Sequence, residues 1–315
     1  MTYALICPIC SQHLSVDTTS QAKHKSLSCP QGHLFDYAKQ GYLNLLLSQY
    51  KKSKHPGDTL EMVQARTHFL NSGFYDCISN FLIKECIDQN LFVSLNPNKP
   101  SQIFSYADLA CGEGFYTHKI HQHLQHIIST ENAPDGLAAV LASTGIDIST
   151  PAIKAACHRT KEVQWLIESL ARIPLQDNSQ DLVTGLFFHF DLDEISRILK
   201  PAGSFIMVTT GPNHLIELRE LIYDQVKEEK LKDFSHVNND LQHLKTLVLK
   251  TSQRLNSSED ILSLLAMTPH YWRCTKDKKH ALAALPELCV TLDVQFDIFS
   301  RTTHCKIAHS AFLTE

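Results

Sequence analysis

An α/β fold, with a mostly parallel sheet in its larger part and a small cysteine-bearing module ahead of it, is predicted by three observations. The run Ile103 to Leu109 is apolar enough for a buried strand, ends in the small-residue turn Ala110-Cys111-Gly112-Glu113-Gly114, and passes into an amphipathic segment, Tyr116 to Leu124. Strand, tight turn and helix in that order is how a parallel sheet makes its first crossover and brings backbone close to a ligand. Further strand-like runs at 139–148, Val163 to Leu166, Asp181 to Phe188 and Ser204 to Thr209 alternate with helical patterns. Ahead of them, Cys7, Cys10, Cys29 and His33 lie in a stretch with few large apolar side chains, too short to fold around a core of its own.

The 315 residues suffice for one large α/β domain and a small one. Apolar content of 43% and charged content of 20% are those of a globular protein. No run reaches 18 apolar residues, and Met1 to Cys7 has neither the basic start nor the apolar length of a signal peptide. A cytoplasmic protein without membrane association is therefore expected, and the seven scattered cysteines read as reduced thiols. A net charge of −4 argues against a generally basic nucleic-acid binder. Residues 1 to 75 nevertheless hold seven Lys/Arg against four Asp/Glu, so a polyanion would meet this part first, although a solvated surface shows the same imbalance.

Taken in order, Cys7-Pro8-Ile9-Cys10 and Cys29-Pro30-Gln31-Gly32-His33 form a C-x2-C-x18-C-x3-H arrangement. Each short pair is a knuckle that aims two ligands at one tetrahedral ion, which predicts a structural zinc held by Cys7, Cys10, Cys29 and His33. All four positions are filled by protein, and metal loss is expected to unfold residues 1 to 45 alone. A basic, turn-rich stretch, Tyr50 to Asp58, marks a boundary. Helical patterns follow from Glu61 to Leu70 and Ile78 to Leu91, then an Asn/Pro/Ser linker at 94–101. The expected division is 1–50 zinc-binding and the part a polyanion such as RNA would meet, 51–101 linker and helices, and 102–315 the large domain.

The spacing of the turn separates two cofactor classes. A dinucleotide fingerprint starting at Gly112 requires a glycine at 117, where Thr117 stands. Asp108-x-Ala110-x-Gly112-x-Gly114 instead resembles the first motif of class I S-adenosylmethionine-dependent methyltransferases, with Ala110 in place of the commoner glycine. That resemblance implies a Rossmann-like, mostly parallel seven-stranded sheet, with Asp108, Ala110, Gly112, Glu113 and Gly114 against the cofactor. Asp147 ends the next strand and precedes a helix start at Ser149-Thr150-Pro151, the place for a ribose-binding carboxylate, or for a helix cap. It lies further beyond the first turn than the usual ~20 residues, which predicts a surface insertion around 129–143. Leu241 to Leu249 and Ile261 to Met267 are helix or strand fragments, and Val290 to Phe299 alternates as a terminal strand pair would.

Cys7-Pro-Ile-Cys10, Cys29-Pro-Gln-Gly-His33, Phe35-Asp36, Gly41-Tyr42-x-Asn44-Leu-Leu46, Pro56-Gly57-Asp58, Gln64-Ala65-Arg66 and Phe69-Leu70, followed by the methyltransferase turn, closely resemble the bacterial 23S ribosomal RNA guanine-N1 methyltransferases of the RlmA type. The resemblance continues through Gly211-Pro212-x-His214 and Met267-Thr268-Pro269-x-x-Trp272. It implies methylation of N1 of a guanine in a hairpin loop of 23S ribosomal RNA by a homodimer, with Tyr75 and His214 closing the cofactor pocket. After the Asp181 strand this chain has Phe187-Phe188-His189-Phe190-Asp191, where the family has an apolar-Tyr-Ala-Pro-Cys stretch. The Asn/Asp-Pro-Pro-aromatic motif of exocyclic-amine methyltransferases is absent there too.

Guanine N1 carries a proton near neutral pH, so a base or a local field must free its lone pair. Asp191, His189 and Glu168 are candidates with no assignment among them, each equally suited to surface or capping roles. Phe187, Phe188 and Tyr75 could stack a flipped base, or pack the core. Two other classes fit: a small-molecule methyltransferase, and a non-catalytic zinc-ribbon RNA-binding protein that holds the cofactor. Labelled methyl transfer to ribosomal RNA separates all three.

Overall fold

The N-terminal module is a small antiparallel sheet of β1 (Ser15–Val16), β2 (Ser26–Ser28) and β3 (Leu34–Asp36), followed by the two-residue strand β4 (Leu43–Asn44). The computed structural model describes residues 4–17, 25–51, 53, 56–89, 103–129, 140–226, 234 and 240–302. Lys52 and Lys54 of the basic run, the 94–101 linker and the 130–139 part of the expected insertion lie outside the described residues. α1 (Leu60–Asn71) begins where the Thr59 hydroxyl caps the Met62 N–H. α2 (Asp76–Phe81) runs on as a wider π-type turn, Leu82–Ile87.

The large domain then alternates: β5 (Ile103–Leu109), α3 (Phe115–Ser129), β6 (Val140–Asp147), α4 (Thr150–Arg159), β7 (Gln164–Ile167), β8 (Gln180–Leu186), α5 (Leu192–Ile198), β9 (Leu199–Thr210), α6 (Ile216–Ile222), β10 (Leu241–Leu255), α7 (Ser258–Ala266), a 3-10 turn (Pro269–Trp272), α8 (Lys276–Ala283) and β11 (Leu288–Arg301). The sheet order is β10-β11-β9-β8-β5-β6-β7-β4, with β11 antiparallel to both of its neighbours. Seven strands belong to the large domain, as the class I motif implies. The eighth comes from the N-terminal module: β4 pairs in parallel with β7 through Leu43 opposite Leu166 and Asn44 opposite Ile167.

That pairing corrects the picture of a module that relies on metal alone. Leu5, Leu14, Leu27, Leu43 and Leu45 are buried in one cluster with Leu166, Ile173 and Leu175 of the large domain. Backbone bonds tie the join, Ile6 N–H to Pro174 O at 3.0 Å and Gln176 N–H to Ala4 O at 2.8 Å. The module borrows a core across the sheet edge and also covers an edge that would otherwise be open.

The Gly211-Pro212-x-His214 stretch turns through Leu215, at φ 53°, before the short helix Ile216–Ile222. Two other expectations change. β6 starts at Val140, so the extra length before Asp147 lies ahead of the strand, not in it. Val290 to Phe299 is a single strand paired with β9 and β10, not a strand pair. Its polar positions are buried but satisfied: Asp297 accepts from the Thr246 hydroxyl at 2.6 Å, and Asp293 from the Asn213 N–H at 3.1 Å.

Candidate active site and metal centre

The ligand atoms of Cys7, Cys10, Cys29 and His33 all lie within 4.8 Å of one another. Sγ of Cys10 and Cys29 are 3.5 Å apart, and His33 Nδ1 is 3.2 Å from Cys29 Sγ and 3.6 Å from Cys7 Sγ. Ligands about 2.0–2.3 Å from a zinc ion form tetrahedral edges of about this length, so the set fits the metal. The knuckles are shaped locally: Ser11 turns at φ 63° with its N–H on Cys7 O, and Gly32 at φ 82° with its N–H on Cys29 O. Burial pushes the Cys29 thiol up, but the backbone N–H groups of His33 and Gln31 and the Cys10 side chain bring it down to about 6, favouring the thiolate a metal needs.

At the end of β5 the chain reverses through Ala110 at φ 55°, Gly112 at φ 56° and Gly114 at φ 81°. Asp108, 1% exposed, holds the turn from beneath by accepting from the Thr117 hydroxyl and, at 2.8 Å, from the Thr184 hydroxyl. This is the structural reason for threonine where a dinucleotide site has glycine. Burial raises the Asp108 carboxyl to about 7, against the pull of those two hydroxyls. Asp147 faces the turn from the tip of β6. Its two oxygens accept the Gly112 N–H at 2.9 Å and the Ser149 N–H at 2.8 Å, and burial raises its carboxyl. The Glu113 carboxylate, also 1% exposed, is ion-paired with Arg159 of α4.

Asp108, Ala110, Gly112, Glu113 and Asp147 line one cavity of about 1430 Å³. Its far side is aromatic. Tyr75 and His214 are buried, with the Tyr75 hydroxyl 3.5 Å from His214 Nε2, and the Phe187 ring stacks on His214 at 6.2 Å. Burial lowers His214 to about 4, so its ring is neutral at pH 7. Among the described residues, His214 Nδ1 and the Tyr116 hydroxyl are buried without a hydrogen-bond partner, and both residues line the cavity. Orphaned polar atoms on the wall of a cavity are what a polar ligand satisfies. Gly185 makes room for Phe190, whose ring would lie 2.3 Å from any Cβ there. Phe187 and Phe188, in the sharp turn above Phe190, are left 39% and 50% exposed on the cavity.

Three residues of the site were visible in sequence only as motif letters without a role. Gly57 packs at φ +80° against Ser149, whose hydroxyl donates to Asp58 O at 2.8 Å. Asp58 ion-pairs with Arg66 of α1, and Arg66 lies over the first turn, 3.4 Å from where a Gly112 Cβ would be. The Pro56-Gly57-Asp58 stretch and α1 thus roof the Gly112–Asp147 end of the cavity. Of the three base candidates, His189 and Asp191 line the cavity and Asp191 caps α5 through the Asp193 N–H. Glu168 is buried, accepts from the Ser169 N–H, and is not part of that lining.

The strand order, the left-handed turn at its centre and the carboxylate on the neighbouring strand define a class I S-adenosylmethionine-dependent methyltransferase. Residues 107–207 match the family model described as "Methyltransferase domain", and residues 5–54 the one described as "RlmA, N-terminal". With the ribbon and the methyltransferase domain in this order, the chain is similar to the RlmA-type methyltransferases. It is 29% identical over 293 residues to a Bacillus subtilis (strain 168) protein named "Putative 23S rRNA (guanine-N(1)-)-methyltransferase YxjB", covering 91% of this chain and 94% of that one. A Streptomyces fradiae protein named "23S rRNA (guanine(748)-N(1))-methyltransferase" is 27% identical over 307 residues, covering 93% of this chain and 95% of that one.

Proposed function

We propose that this chain methylates N1 of a guanine in 23S ribosomal RNA, in a hairpin loop and as a homodimer in the cytoplasm. The observation that carries this is a continuous cavity of about 1430 Å³ lined both by the Gly112–Asp147 turn and by the exposed Phe187 and Phe188 rings. Ligand pockets usually span about 300–1,000 Å³, so this one has room for both a nucleoside-type cofactor and an inserted base. The relatives' names supply the base and the RNA. The zinc ribbon favours a macromolecular target over a small one.

S-adenosylmethionine, when bound, supplies a methyl group already activated on sulfonium. Gly112 allows backbone to approach it, Gly114 lets the turn pack on Trp165 and Ala156, Asp108 fixes the turn, and Asp147 keeps lone pairs free for the ribose hydroxyls. Arg66 is placed for the cofactor's carboxylate, a pairing that suits a guanidinium better than an ammonium. Neutral His214 with Tyr75 and Tyr116 closes the other end and excludes water without adding a charge beside the reacting base. The proposed division is 1–50 for zinc binding and RNA recognition, 51–101 for the linker and helices, from which Gly57, Asp58 and Arg66 roof the pocket, and 102–315 for the transferase. Mass spectrometry of ribosomal RNA from cells with and without the protein tests the reading. Loss of N1-methylguanosine in the deletion supports it, and an unchanged modification map refutes it.

A further inference from the structure

One rim of the cavity belongs to neither matched region. The 3-10 turn Pro269–Trp272 and α8 lie beyond both 5–54 and 107–207. Trp272 lines the cavity, yet it is 66% exposed, the most exposed large apolar side chain among the described residues. Leaving an indole in water forgoes more burial than most side chains can offer, so an open one on a fixed turn asks for a partner.

The turn is well fixed. Its N–H groups close back on Thr268 O from Tyr271 at 3.2 Å and on His270 O from Arg273 and Cys274 at 3.0 Å. The Tyr271 ring meets Trp272 edge-on at 5.3 Å, and Lys279 sits 3.5 Å from the Tyr271 ring centre. Arg273 and Lys276 are exposed and enter no ion pair among the described residues, whereas Lys278 is paired with Asp224 at 2.7 Å. Asp277 is the single carboxylate between 269 and 283. A flat aromatic surface at a cavity mouth flanked by unpaired cations matches an unstacked base with its phosphates. A small molecule enclosed in the cavity would have no use for cations outside it.

We propose that Trp272 stacks on the extruded RNA base or its immediate neighbour, and that Arg273 and Lys276 hold the adjoining phosphates. This rests on the RNA reading above and adds a second contact surface to the N-terminal module. It also assigns the exposed Phe188, which lines the same cavity, to the base's entrance.

The chain has two tryptophans, and Trp165 is 1% exposed, so intrinsic fluorescence reports on Trp272. Titrating an unmodified 23S ribosomal RNA transcript into the full chain should quench the exposed indole. Trp272→Phe should abolish the quench while binding the transcript within about threefold of wild type, since a phenyl ring still stacks. Trp272→Ala should weaken RNA binding roughly 5- to 100-fold and leave S-adenosylmethionine affinity unchanged. Replacing Arg273 and Lys276 by Ala should lower the salt slope of RNA binding by up to about two. Transcript binding in Trp272→Ala equal to wild type, a quench that persists in Trp272→Phe, or no binding by wild type overturns the proposal. If quench and affinity loss are both seen but wild type forms no N1-methylguanosine, stacking stands and the target assignment falls.

Discussion

Gly57 offers a direct test of how the linker serves the cofactor pocket. A Cβ built there meets Ser149 Cβ at 2.7 Å and Ser149 Cα at 2.9 Å, where ordinary contact begins at 3.4 Å, and the residue sits at φ +80°. In Gly57→Ala the left-handed backbone costs about 1–2 kcal/mol. Because one obstacle is backbone, the linker must withdraw by at least about 0.5 Å, which lengthens the 2.8 Å bond from the Ser149 hydroxyl to Asp58 O and removes about 1 kcal/mol more. The docked linker is thus weakened by about 2–3 kcal/mol, roughly 30- to 150-fold in its docking equilibrium. The Asp58–Arg66 pair moves with it, and Arg66 is the group over the Gly112 turn. Calorimetry should show S-adenosylmethionine affinity falling at least about tenfold. The methyltransferase sheet should keep its urea midpoint, because Gly57 lies outside its strands. Unchanged affinity in a folded Gly57→Ala protein would refute the claim that the linker roofs the site.

Arg159→Ala should cost about 3–5 kcal/mol in urea unfolding, because it strands the 1% exposed Glu113 carboxylate, and adding Glu113→Gln should restore much of the loss. An Arg159→Ala protein as stable as wild type would show that the pair is not formed. Glu168 is raised to about 7 by burial, so folding favours its protonated form; its contribution is greatest below about pH 4.5 and is lost as pH rises to 7. Glu168→Gln should therefore stabilise the protein at pH 8, by at most about 3 kcal/mol, and flatten the decline between these values, as thermal melts across pH would reveal. Zinc removal by a chelator should raise amide exchange at Leu166 and Ile167 as well as in the ribbon, since β4 pairs with β7 there. Exchange confined to the ribbon would separate the two parts energetically.

Local signals survived from sequence to structure where the physics is local. β5 was readable as Ile103 to Leu109 because an apolar run meets a small-residue turn, and the zinc ligands because their spacing alone makes two knuckles. Asp147 was placed at a strand end by the capped helix start that follows it. What escaped was set by contacts distant in sequence. A two-residue strand such as β4 has no period to detect, and its partner β7 is chosen by the borrowed core around Leu43 and Leu45. β11 alternates like a half-exposed strand, but Asp293, Gln295 and Asp297 are 1%, 5% and 0% exposed; Gln295 donates to Asp297 on the same strand, and the two carboxylates accept from Asn213 and Thr246, which no window of sequence around β11 contains. Arg66 stood in plain view as a motif residue, and only the docking of Gly57 on Ser149 shows why it overlies the turn.

The metal module and the roof of the pocket both bond to the large domain near the Gly112–Asp147 end of the cavity. β4 extends the sheet beside β7, Leu45 N–H bonds to Ile167 O at 3.0 Å, and Gly57 packs on Ser149 at the N-terminus of α4. From there α1 carries Arg66 over Gly112 and, through Asn71, an acceptor for Arg159 at 3.1 Å. Arg159 in turn holds Glu113 inside the first turn. The ribbon is thus bonded to the β7 edge of the sheet, and the roof is bonded to both ends of α4, at Ser149 and at Arg159. An RNA held by the ribbon would press on elements that already shape the Gly112–Asp147 end of the cavity. The ribbon and the cofactor turn therefore share one mechanical frame, and a change at either end has a bonded route to the other.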